Sequence, residues 1–106
     1  MKKNISIITG TLNRKENIQR LIENTIAKYE FLELVLVDGG STDGTIEYID
    51  SLNYKNLVFL NYGKRSSYPH FMNLGIRNAS SEYICIWDDD AILINCSRGG
   101  LINEND

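Results

Sequence analysis

Short apolar runs alternate with longer amphipathic ones along this chain, and the alternation predicts strands and helices in turn. Ile5-Ser6-Ile7-Ile8-Thr9 is rich in β-branched residues and is stopped by Gly10, as a buried strand would be. Asn13 stands before a stretch in which Ile18, Leu21, Ile22, Thr25 and Ile26 recur at helical spacing, with Glu16 in the first turn where the helix dipole favours an acid. A first helix ending near Tyr29 is predicted. Leu34-Val35-Leu36-Val37 is apolar on both faces, as a central parallel strand should be. It runs straight into Asp38-Gly39-Gly40-Ser41-Thr42-Asp43-Gly44-Thr45, the densest turn signal in the chain.

Ile46, Ile49 and Leu52 supply a short second helical stripe, and Leu57-Val58-Phe59-Leu60 a third strand closed by Asn61-Tyr62-Gly63. A looser segment from Lys64 to His70 leads to a third helix, Phe71 to about Ala79. Tyr83-Ile84-Cys85-Ile86-Trp87 is a fourth strand that stops at Asp88-Asp89-Asp90. The order β-α-β-α-β-α-β predicts an α/β fold: a Rossmann-like, mostly parallel sheet of about four strands with flanking helices. From Asn95 onward no period remains, so the expected division is a domain over 1–94 and an irregular polar tail over 95–106.

Composition narrows the function classes. The 106 residues suffice for one hydrophobic core. With 11 basic against 14 acidic side chains, the chain is no basic nucleic-acid binder. Collagen-like and disordered readings fail on 8 glycines, 1 proline and 42% hydrophobic residues. Cys85 in an apolar run and Cys96 in the polar tail match neither a zinc spacing nor a disulfide framework, which predicts two reduced thiols. After Met1-Lys2-Lys3-Asn4 only Ile5 to Ile8 precede Thr9, Gly10 and Thr11, too short a core for an export signal. The apolar runs also fall far short of the about 20 residues of a membrane-spanning helix. The expected location is cytoplasmic, extending at most to the inner face of the membrane.

In an open parallel sheet the carboxyl ends of all strands meet one crevice, which is where chemistry should be sought. Those positions are Thr9, Thr11, Leu12, Asn13 and Arg14 around the first strand end, Asp38 to Asp43 after the second, and Asp88, Asp89 and Asp90 after the fourth. Three consecutive aspartates repel one another unless a cation intervenes, and carboxylate oxygens favour Mg²⁺ or Mn²⁺. An acidic run of this kind also serves as a solvated turn or a helix cap. Asp38, falling on the same edge, favours the metal reading.

Other chemistries find no support. Gly39 and Gly44 have P-loop spacing, but Thr45 stands where lysine is needed and Asp43 puts negative charge where phosphate would lie. No Gly-x-Gly-x-x-Gly follows a strand. His70, the single histidine, reads as a polar loop residue rather than a zinc ligand. No serine lies in a Gly-x-Ser-x-Gly elbow. Trp87 and Tyr48, Tyr54, Tyr62, Tyr68 and Tyr83 lack interleaved basic residues and read as packing groups. A phospho-acceptor domain needs aspartates after its first strand, where this chain has Thr11-Leu12-Asn13. A nucleotidyltransferase needs a glycine-rich basic loop there, where Arg14 and Lys15 are the basic residues.

The strand Ile5-Ser6-Ile7-Ile8-Thr9, the stretch from Leu34 to Thr45, the segment Met72-Asn73-Leu74-Gly75-Ile76 and the stretch Glu82 to Asp90 occur in this order. Together they resemble the inverting, GT-A-fold glycosyltransferases of family 2, over residues 4 to about 93. The resemblance implies a nucleotide-sugar-binding half that transfers a sugar from a nucleoside diphosphate donor, UDP-linked, to a hydroxyl acceptor such as a glycan or lipid-linked glycan in polysaccharide biosynthesis. It places Thr9, Thr11, Asn13, Arg14, Asp38, Asp88 and Asp89 against the nucleotide, and Asp90 with Asp88 against Mn²⁺ or Mg²⁺. Two departures stand out: Gly39 where the family often has a second acid, and His70, Phe71 and Met72 where it carries small residues and a basic one. Family members use a second half for the acceptor and the general base. This chain resembles the donor-binding half alone, so no catalytic base is assigned and a non-catalytic nucleotide-binding remnant is the alternative. Self-association through an exposed sheet edge is expected.

Overall fold

Both faces of the sheet are buried, and the two-residue alternation of its strands sorts their side chains between two cores. The computed structural model describes residues 5–87 and, as backbone, 93–98. Its elements are β1 (Ile5–Thr11), α1 (Lys15–Asn24), β2 (Leu32–Asp38), α2 (Thr45–Asp50), β3 (Leu57–Asn61), α3 (Tyr68–Asn78), β4 (Tyr83–Trp87) and β5 (Leu93–Arg98). The sheet order is β3-β2-β1-β4-β5. The first four strands are parallel, and β5 runs antiparallel to β4.

On one face Ile7, Leu34, Leu36 and Cys85 pack with Ile18, Leu21 and Ile22 of α1 and Ile49 of α2. On the other, Ile8, Val35 and Ile84 pack with Met72 of α3. The split follows from chain direction. The path steps from β1 through β2 to β3, then α3 carries it back past β1 to β4; right-handed crossovers in opposite directions put their helices on opposite faces. Between β1 and β4 the connections diverge, and such a switch point leaves a crevice at the carboxyl edge.

Polar groups fix the two ends of this frame. Glu33, 5% exposed near the start of β2, accepts the Ser6 hydroxyl at 2.7 Å, the Ser80 N–H at 2.8 Å and the Ser80 hydroxyl at 2.8 Å. It thereby joins β1 to the turn that feeds β4. α3 starts at Tyr68, ahead of the predicted Phe71, because the Ser67 hydroxyl accepts the His70 N–H and Pro69 presets the first turn. Gly75 lets α3 close onto the sheet: a Cβ there would overlap the Cγ2 methyl of Ile8 and stand 3.6 Å from Val35 Cγ1.

Two expectations are corrected. β5 carries the sheet to Arg98, across the stretch from Asn95 read as an irregular tail. Its sequence lacks alternation, but an edge strand needs only backbone pairing to one neighbour. Cys85 is disulfide-bonded rather than a reduced thiol. In the β4–β5 register it stands opposite Cys96, a relation that spacing along the chain does not reveal.

Replacing Gly75 with alanine tests the close approach of α3. Helix propensity alone favours the change by about 1 kcal/mol. Overpacking against Ile8 opposes it, so Gly75→Ala is expected to destabilise the fold by about 1–3 kcal/mol in urea unfolding.

Candidate functional site

At the carboxyl edge a hydrogen-bonded clasp shapes the loops before any ligand arrives. Asp38 ends β2 fully buried. Its Oδ1 accepts the N–H groups of Gly40 and Ser41, each at 2.7 Å, and its Oδ2 accepts the Ser41 hydroxyl at 2.7 Å. Ser41 Oγ in turn accepts the Asn13 N–H at 2.9 Å, and Asn13 Oδ1 accepts the Thr42 N–H at 2.7 Å. These bonds join the β1–α1 loop to the β2–α2 loop. Asn13 adopts φ 54°, a left-handed conformation that asparagine tolerates better than most residues. Gly40 has φ 104° and a Cβ there would lie 3.1 Å from the Gly63 carbonyl oxygen, so two independent constraints require glycine.

Asp43 adds a second tie. Its Oδ1 accepts the Thr45 hydroxyl at 2.5 Å and the Thr45 N–H at 3.1 Å, while Oδ2 accepts the Lys15 N–H at 3.1 Å. The Thr45 hydroxyl, helped by the Lys15 and Thr45 amides and opposed by desolvation, holds this carboxyl below its ordinary value of 3.8.

Beside the clasp a cleft of about 520 Å³ opens between the strand ends and α3. Thr9, Gly10 and Thr11 form its base. The Phe71 ring lies over two glycines: a Cβ on Gly10 would meet it at 3.5 Å and one on Gly39 at 3.4 Å. The ring therefore occupies the space beside position 39. Arg14 reaches the cleft from the β1–α1 loop, and Arg65, Ser66 and Tyr68 reach it from the segment after β3. Trp87 lines the β4 side, where the Thr9 hydroxyl donates to its carbonyl at 2.5 Å and fixes the strand end.

Thr9, Thr11 and Arg14 line this one cavity. Asn13 and Asp38 do not line it; their side chains bond within the clasp. Asp88, Asp89 and Asp90, which directly follow Trp87, lie outside the described residues. Among the described residues no three His, Cys, Asp or Glu side chains gather as a metal site. The hard oxygens of Asp88 and Asp90 have the chemistry Mn²⁺ or Mg²⁺ prefers. Trp87 and Tyr68, read as packing residues, belong to the cleft, as do Arg65 and Ser66. The rule that strand ends gather at one edge would have found the last three had it been applied to β3 as well. His70 lies on α3 rather than in a loop, with Nε2 3.2 Å from the Tyr62 hydroxyl.

The sequence model of glycosyl transferase family 2 matches residues 6–94. The chain belongs to this family. It is 30% identical over 91 residues to the poly-β-1,6-N-acetyl-D-glucosamine synthase of Staphylococcus aureus, covering 84% of this chain and 22% of that protein. A mannosyltransferase from Pyrobaculum calidifontis, solved with GDP-mannose and Mn²⁺, superimposes with a TM-score of 0.70 at 27% identity, covering 87% of this chain and 29% of that one. TarS 1-349 of S. aureus, solved with UDP-GlcNAc, gives 0.67 at 27% identity, with coverage of 82% and 26%. The Rossmann-like sheet is therefore that of GT-A enzymes, and the family 2 chain described here spans about a fifth to a third of each of these relatives. No helix among its described residues is long and apolar enough to cross a membrane.

Two substitutions separate shaping from contact. Asp38→Ala strands buried donors and is expected to cost about 3 kcal/mol in chemical unfolding, whereas Asp38→Asn, keeping one acceptor oxygen, costs less. A direct contact between Asp38 and a ligand would instead change ligand preference in Asp38→Asn at unchanged stability. Asp43, its carboxyl lowered in the fold, contributes stability fully above pH 3.8 and loses it as pH falls through the folded value. Thermal melts of wild type and Asp43→Asn should differ most near about pH 6 and converge under stronger acid.

Proposed function

We propose that this chain forms the donor site of an inverting sugar transferase, holding a nucleoside diphosphate sugar for transfer to a hydroxyl acceptor. The observation that carries the reading is the cleft itself. It sits at the switch point between β1 and β4, offers cationic side chains, and borders the residue immediately before Asp88-Asp89-Asp90. The names of the relatives point the same way, since GDP-mannose and UDP-GlcNAc are both sugar nucleotides.

In this reading Thr9, Thr11 and Arg14 line the nucleotide's cavity, while Asn13 and Asp38 act one step removed by holding the loops in place. Asp88 and Asp89 lie against the ribose and diphosphate, and Asp90 with Asp88 would hold Mn²⁺ or Mg²⁺. That cation, when bound, neutralises charge on the departing nucleoside diphosphate. The rigid clasp keeps the cleft open in one shape, so binding spends little energy on ordering loops. The acceptor belongs to glycan or lipid-linked glycan synthesis, and the site works at the cytoplasmic side of the cell.

Calorimetric titration with UDP and GDP, with and without Mn²⁺, tests this. Metal-dependent binding that disappears in Asp90→Ala is the expected result. Absence of binding at millimolar nucleotide in the presence of Mn²⁺ overturns the donor-site reading.

A further inference from the structure

The described walls of the cleft carry two arginines, Arg14 and Arg65, and no carboxylate, in a chain whose net charge is −3. The order β3-β2-β1 places the loop of Gly39 between the loops that bear them. Arg14 also borders a second groove shared with Asp43. Arg65 is exposed and makes no hydrogen bond or ion pair with another described residue. The segment bearing it is rooted, because the Asp38 carbonyl accepts the Tyr62 and Gly63 N–H groups at 3.0 and 3.2 Å. The stretch expected to contribute a basic group supplies none here: Met72 is 1% exposed and apolar, Phe71 covers the glycines, and His70 turns to Tyr62 and does not line the cleft.

We propose that Arg65 is the residue that grips the diphosphate of the donor, in place of the basic side chain missing from the start of α3. The assignment rests on the donor-site reading above. A guanidinium presents a planar fork of N–H donors that matches two phosphate oxygens at once, and an exposed arginine on an anchored segment enters such a contact without breaking another.

Titrations of the chain with UDP, UMP and uridine in the presence of Mn²⁺ decide it, using wild type, Arg65→Ala, Arg65→Lys and Arg20→Ala. Arg20 lies on α1 outside the cleft and controls for the loss of one positive charge. Arg65→Ala should weaken UDP by about tenfold or more, weaken UMP less, and leave uridine within about twofold. Arg65→Lys should recover part of the loss, since lysine restores charge without the fork. The assignment fails if Arg65→Ala leaves UDP unchanged, weakens uridine equally, or is matched by Arg20→Ala. If wild type binds UDP and Arg65→Ala binds it as well, Arg65 alone is excluded; if wild type binds neither UDP nor GDP, the donor-site reading falls with it.

Discussion

One residue, Asp38, ties three loops together. Its carboxylate accepts two amides and a hydroxyl from the β2–α2 loop, the accepting hydroxyl of Ser41 reaches the β1–α1 loop through Asn13, and its own carbonyl holds Tyr62 and Gly63 after β3. A carboxylate with no accessible surface is tolerable only when its lone pairs are filled. Here the filling groups are the backbone donors of the loops themselves, so satisfying the charge and shaping the cleft are the same event. Rigidity at the rim follows from the cost of leaving any of these bonds unmade.

The same strand repeats the device at its other end. Glu33 and Asp38 lie near the opposite termini of β2, are both buried, and are both satisfied by serine hydroxyls and backbone N–H groups. Glu33 reaches β1 and the turn into β4, and Asp38 reaches the loops after β1 and β3. The most buried strand therefore fixes its neighbours in position by polar contacts at both ends, while its apolar middle feeds two cores. This division lets α3 slide close over Gly75 and deliver Phe71 and Met72 to the cleft without loosening the sheet.

Much of this frame was legible in the sequence because its signals are local. The apolar runs of β1 and β2 and the stripe Ile18, Leu21, Ile22 report burial directly, and the turn residues after Val37 announce the loop. What escaped is relational. That Ser41 bonds Asn13 across 28 positions, or that Phe71 lies over Gly10 and Gly39, depends on which loops the topology brings together. A carboxylate at a strand end such as Asp38 is equally suited to outside or inside partners, and the donors it accepts here are two backbone amides and the Ser41 hydroxyl, a set that no residue pattern shows. The start of α3 was readable from Ser67 and Pro69, whose capping roles outweigh the weak periodicity that follows. β5, antiparallel at the edge, has no crossover helix and no alternation to betray it.

Charge gives the cleft a direction. An anion approaching an acidic chain is repelled overall, but with a screening length near about 8 Å at physiological salt the groups in contact outweigh the distant ones. The described walls present Arg14 and Arg65, whereas Asp88, Asp89 and Asp90 directly follow Trp87 in sequence. A diphosphate can meet the arginines directly and can meet aspartates only with a cation between. The two kinds of contact are thus not interchangeable. One needs nothing but the protein and the other needs the metal. Arg65 rides on a segment rooted in the Asp38 carbonyl, which accepts the Tyr62 and Gly63 N–H groups. The same buried residue that shapes the glycine-rich loop thereby also sets where the guanidinium can reach.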